Sequence, residues 1–139
     1  MINGLYAPYD YVIMPVLLAY DVKHNNESIL GYAIRYALAF RTQLYILSSV
    51  TSKDGGKELD AVKADLEEAK RKASEMGAEA FTLIGVGPAA EEILAAAERI
   101  DAKAIIVGHS DKTAIDRIFT GTVSEYVLRH TGRTVIFVR

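Results

Sequence analysis

The residues best equipped to hold a ligand sit late in the chain. Gly121-Thr122-Val123-Ser124 opens an amphipathic helix. A helix N-terminus gathers unpaired N–H groups and partial positive charge, which suits a phosphate, and the Thr and Ser hydroxyls add further donors. Upstream, the apolar run Ile105-Ile106-Val107 stops at Gly108 and gives way to a polar loop holding His109 and Asp111. A second carboxylate of interest, Asp21, directly follows the apolar run from Val16 to Tyr20. Each has a plainer reading. Asp21 can simply begin a loop, Gly108 can be the turn that ends a strand, and Gly121-Thr122 can be an ordinary helix cap. His109 is the one general base near the presumed phosphate seat, but no second catalytic group stands at a recognisable spacing, so it reads as a loop histidine. His24 and His130 are scattered and form no metal-ligand pattern. The chain has no cysteine, which removes disulfides, thiolate catalysis and Cys-type zinc sites.

These residues need a scaffold, and the hydrophobic pattern supplies one. Val16 to Tyr20 is continuously apolar, as expected for a strand covered on both faces, and Pro15 marks its start. Leu30, Ala33, Ile34, Ala37 and Leu38 then repeat at helical spacing, with Asn25 or Asn26 as N-cap. Gln43 to Val50 is a second strand. Leu59, Val62, Leu66, Ala69, Ala73 and Met76 stripe a long helix that ends at Gly77, its C′ residue. Ala80 to Val86 is a third strand, Gly87-Pro88 turns the chain with Pro88 in the first helical turn, and Ala90, Ile93, Leu94 and Ala97 mark another helix. Lys103 to Val107 is strand four. Gly132 stops the last helix, and Val135-Ile136-Phe137-Val138 is strand five. Strands alternating with helices imply right-handed βαβ units and a parallel sheet covered on both faces. Ligands of such sheets bind beyond the carboxyl ends of the strands, where strand order reverses. Asp21, the end of strand two, Gly87 and Gly108 belong to that edge.

Composition narrows the function. The 139 residues suit a single domain, with residues 1–14, rich in Tyr6, Tyr9 and Tyr11, as an N-terminal extension lying on it. A net charge of −2 with interspersed signs does not offer the basic face that nucleic acid requires. No apolar run approaches the roughly 18 residues of a membrane span. The N-terminal stretch lacks both a basic n-region and a continuous apolar core, so no signal peptide is read there. The expectation is a cytoplasmic domain with no membrane or nucleic-acid partner.

With Gly108-His109-Ser110-Asp111, nine residues, then Gly121-Thr122, the chain resembles the universal stress protein family, whose signature is G-x-x-G, nine residues, G-[S/T]. Leu17-Leu18-Ala19-Tyr20-Asp21 resembles that family's first strand ending in aspartate, and Gly87-Pro88 its turn into the third helix; the likeness runs from about Pro15 to Arg139. The resemblance implies a three-layer α/β fold: a doubly wound five-stranded parallel sheet of order 3-2-1-4-5. It also implies a bound adenine nucleotide, ATP or a relative, with Mg²⁺ as possible companion. By the same resemblance Asp21 would bond adenine or ribose, with Ala19, Tyr20 and Val50 beside the base. Val107, Gly108 and the Asp111 loop would wrap sugar and phosphates, and Gly121, Thr122, Val123 and Ser124 would hold the phosphates. With no Walker lysine motif, hydrolysis is expected to be slow at most.

One departure carries weight. Asp111 stands where the signature has its second glycine. A carboxylate about 5 Å from a phosphate costs roughly 3 kcal/mol at an effective dielectric near 20. The alternative reading is therefore a non-nucleotide interaction module of the same fold, its ATP site disabled by Asp111. In either case the last strand, Thr134 to Arg139, is expected at a sheet edge without proline or internal charge, and so to pair with a second copy in a homodimer.

Overall fold

The computed structural model describes residues 14–20, 27–52, 56–108 and 123–138. Five parallel strands form one sheet in the order β3-β2-β1-β4-β5, with β1 Val16–Ala19, β2 Leu44–Val50, β3 Ala80–Val86, β4 Ala104–Gly108 and β5 Thr134–Val138. Among the described residues the helices are α1 Glu27–Phe40, α2 Lys57–Glu75, α3 Ala89–Ile100 and α4 Val123–His130. The order matches the sequence expectation, with β4 shifted by one residue toward Gly108.

Alternation along the strands divides the core into two layers. Val16, Leu18, Ile46 and Ile106 face α1 and α2, where they meet Ile29, Ile34, Val62 and Leu66. Leu17, Leu47, Ile105 and Val107 face the other way, onto Ile93, Ala97 and Val127 of α3 and α4. Both faces of β1 are therefore sealed, which is why its sequence is apolar without alternation. Close approach of α3 to β3 depends on Gly85, since a Cβ there would lie 2.7 Å from the Cβ of Glu92.

Helices α1, α2 and α3 stop in the same way. A backbone N–H reaches back five residues in each case: Thr42 to Ala37, Ala78 to Ala73, and Ala102 to Ala97, at 2.9 to 3.0 Å. The left-handed residue this requires is Gly77 after α2, but Arg41 after α1 and Asp101 after α3. Pro88 is the N-cap of α3 rather than a first-turn residue; its ψ of 131° is extended, and its carbonyl accepts the first helical bond from the Glu92 N–H.

Register decides where a site can form. Val16 is level with Leu44 and Ala104, Leu44 with Ala80, and Ala104 with Thr134, so all five strands start on one row. They end unevenly. β1 stops at Ala19, opposite Leu47, whereas β2 runs on through Ser48, Ser49 and Val50 and β3 stays paired with it to Val86. The short central strand leaves a notch at the carboxyl edge of the sheet, where the chain has wound outward in both directions.

Candidate functional site

The notch is the floor of a cavity of about 420 Å³. Ala19 and Tyr20 form its base, Ser48, Ser49 and Val50 one wall, and Val107 and Gly108 the opposite wall. Two helix N-termini close it: Pro88 and Ala89 at the start of α3, and Val123 and Ser124 at the start of α4. Neither Pro88 nor Gly87 contributes a side-chain cap, and the backbone N–H groups of a first helical turn have no partner within their own helix. The cavity thus joins apolar walls to a rim of helix-start donors, a combination suited to a flat apolar group carrying an anion.

The end of β1 is held firmly. The Tyr20 N–H donates to the Leu47 carbonyl at 2.8 Å, and the buried Ser48 hydroxyl donates to the Tyr20 carbonyl at 2.6 Å. This clamp sets the direction in which the chain leaves toward Asp21. Burial raises the Tyr20 phenol above its ordinary pKa, opposed by the Lys72 ammonium and reinforced by Asp65, Glu27 and Glu68. On the β2 wall, the Gly87 N–H donates to the Val50 carbonyl at 2.9 Å. Thr51 donates both its N–H and its hydroxyl to one oxygen of Glu58, at 3.0 and 2.9 Å, fastening the wall to the first turn of α2. Gly87 has φ of +128°, a backbone state that glycine tolerates best. A Cβ at Gly108 would come 2.6 Å from Ile29 Cδ1, so a larger residue there would push the tip of that side chain aside.

Of the residues singled out from sequence, Ala19, Tyr20, Val50, Val107, Gly108, Val123 and Ser124 come together on this one cavity. Asp21, Asp111, Gly121 and Thr122 lie outside the described residues, as do His24, Asn25, Asn26, His109 and residues 1–13 of the extension. Sequence reasoning missed Leu47, Ser48, Ser49, Thr51, Glu58, Val62 and Ile93, which also line the cavity. The hydroxyls of Ser48, Ser49 and Thr51 at the carboxyl end of β2 were the available sign, because polar side chains in an otherwise apolar strand need partners there. No Lys, Arg or His occurs among the described residues lining the cavity, so any positive charge offered there by described residues is the partial charge of backbone donors.

Comparison with known proteins adds an independent line. Residues 13–139 match the model of the universal stress protein family. A universal stress protein of Methanocaldococcus jannaschii is 34% identical over 74 residues, 53% of this chain and 44% of that relative, so the match spans less than half of the relative's length. Among solved structures, a universal stress protein from Archaeoglobus fulgidus superposes with a TM-score of 0.78 at 22% identity, covering 94% of this chain and 97% of the other. A universal stress protein from the same organism, in complex with dAMP, gives a TM-score of 0.71 at 25% identity, covering 92% of this chain and 99% of the other.

Proposed function

The chain belongs to the universal stress protein family, and from that premise we propose that its cavity binds ATP or a related adenine nucleotide as a regulatory ligand. The observation that carries this reading is the meeting of two helix N-termini over an apolar notch at the strand-order reversal of the sheet. The dAMP complex of the 25% identical relative supports the same ligand class. In this reading Ala19 and Val50 flank the base and Asp21 accepts from the base or binds the ribose. The N–H groups that open α4, with the hydroxyls of Ser124 and Thr122, take the phosphates. Bound nucleotide would order the chain between Gly108 and Thr122 and so alter a surface that a protein partner reads. Hydrolysis is slow at most, since the sequence has no Walker lysine motif. Edge pairing of β5 with a second copy gives a closed dimer.

A second reading rests on Asp111. A carboxylate at the signature's second glycine position would oppose a triphosphate far more than a monophosphate if it faced the phosphates, and no cationic side chain lies among the described residues lining the cavity. The fold would then serve as a dimeric interaction module. Calorimetric titration of nucleotide-stripped protein with AMP, and with ATP and Mg²⁺, separates the two. The nucleotide reading predicts micromolar binding by the unaltered chain and at least a tenfold loss in Asp21→Ala. Binding by Asp111→Gly alone would establish the disabled-site reading, and silence from both proteins would overturn the nucleotide reading.

A further inference from the structure

Within the nucleotide reading of the cavity, on which this inference rests, we propose that Glu58 determines specificity. Its carboxylate turns the anion of the ligand toward α4 and takes the exocyclic amino group of the base.

Glu58 stands in the first turn of α2, four residues before Val62, so the two share the side of that helix that lines the cavity. Its position is held. Two donors of Thr51, the residue after β2, meet one carboxylate oxygen: the N–H at 3.0 Å and the hydroxyl at 2.9 Å. A carboxylate accepts on both oxygens, at about four positions, and when ionised donates at none. Glu58 is the one carboxylate among the described residues lining the cavity. The other polar side chains described there are hydroxyls, and two of these are committed: Ser48 donates to the Tyr20 carbonyl at 2.6 Å, and Thr51 to Glu58.

The two sides of the cavity therefore differ in sign. On the β4 side Val123 and Ser124 open α4, where first-turn N–H groups lack helical partners and carry partial positive charge. On the β2 side stands the Glu58 carboxylate. β2 and β4 flank β1, so two strand spacings, about 10 Å, separate the sides. The start of α3 also opens on the cavity, but its first turn carries Glu91 and Glu92, which offset its positive end. The first-turn acid of α4, Glu125, is instead paired with Arg129 at 2.9 Å. Repulsion from Glu58 thus favours a nucleotide whose phosphate lies at α4 over the reverse placement. The base then falls on the β2 side against Val50 and Val62, both buried and apolar, with its edge at Glu58. A carboxylate there favours an edge bearing an N–H donor, and the adenine amino group is one.

The test is calorimetric titration of the nucleotide-stripped full chain with AMP and with purine riboside 5′-monophosphate, which lacks only the amino group. Both titrations are repeated in Glu58→Gln and Glu58→Ala; the glutamine amide keeps an oxygen for the Thr51 donors but loses the charge. The expected result is at least tenfold tighter binding of AMP by the unaltered chain, a preference that falls to about threefold in Glu58→Gln and vanishes in Glu58→Ala. A residue that only shaped the wall would weaken both ligands alike, so an unchanged ratio in the variants would overturn the proposal. Equal affinities in the unaltered chain would overturn it too, while leaving the nucleotide reading in place. Silence toward both ligands in the unaltered chain would overturn that reading and this proposal together.

Discussion

At Tyr20 a single side chain joins the core to the rim of the cavity. Its backbone is held between Leu47 and Ser48, and its ring packs on the α1–α2 core layer, near the Lys72 ammonium. Because burial holds its phenol above the ordinary value near 10, the folded chain keeps this proton to higher pH than the unfolded chain. Below about pH 10 both states are protonated and nothing is lost. As pH rises through that value the unfolded chain releases a proton that the folded chain retains, and stability falls until the folded pKa is passed. Lys72, its pKa raised chiefly by the hydrogen bond to Glu27, acts in the same direction over the same range. Urea unfolding of the unaltered chain and Tyr20→Phe at pH 8 and pH 11 should show a smaller alkaline loss in the variant. Equal losses would mean that Tyr20 ionises alike in both states. At this scale the sequence was informative wherever a residue type had one strong physical reason, as with Gly77 at a helix end or Pro15 before a strand. It was silent where the reason was a distant neighbour. Nothing local marks Gly85 as the place where Glu92 crowds in, or Glu58 as the acceptor for Thr51.

At the scale of elements, helices were legible because burial on one face imposes a period near 3.6, and strands because a strand sealed on both faces is a short continuous apolar run. Helix ends were harder. Arg41 and Asp101 take the left-handed conformation that glycine usually supplies, so the chain turns there without the residue that announces it. Asp101 has a compensating partner. The Arg133 guanidinium, in the turn between α4 and β5, donates to Asp101 at 2.9 Å, to Glu98 at 2.7 Å and to the Ala102 carbonyl at 2.8 Å. These bonds tie the last strand to the end of α3. Both carboxylates are largely exposed, so water screens the ionic part and the carbonyl bond and buried stem matter more. Arg133→Ala should cost about 1 to 2 kcal/mol in denaturant unfolding, with Arg133→Lys recovering only part, because an ammonium cannot span three acceptors. A full recovery by lysine would show that charge alone is at work.

Considered whole, the molecule has a notched end and a level end, set by one feature of register. The strands start level and end unevenly, so the carboxyl edge carries a notch and the amino edge does not. The βαβ pattern gave a parallel sheet covered on both faces, the family resemblance implied its order, and the general location of the cavity followed from that order. Its shape did not, because the shape depends on β1 ending three residues before its partner β2, a difference that two apolar runs do not advertise. No helix among the described residues is long and apolar enough to cross a membrane. One edge of the sheet ends in β5, whose outer backbone groups have no strand beside them among the described residues. Sedimentation equilibrium should therefore return twice the chain mass at micromolar concentration, and a strictly monomeric profile would remove edge pairing from the account.

The central claim is that the cavity over the β1 notch takes an adenine nucleotide. The most direct measurement is a map of backbone amide shifts in isotope-labelled protein titrated with AMP and then with ATP and Mg²⁺. Nucleotide in this cavity should give saturable shifts concentrated at Tyr20, Val50, Gly87, Val107, Gly108 and Ser124, with the amino-terminal pole around Leu38 and Gly77 unmoved. Saturable shifts centred elsewhere, or none at millimolar nucleotide, would contradict it.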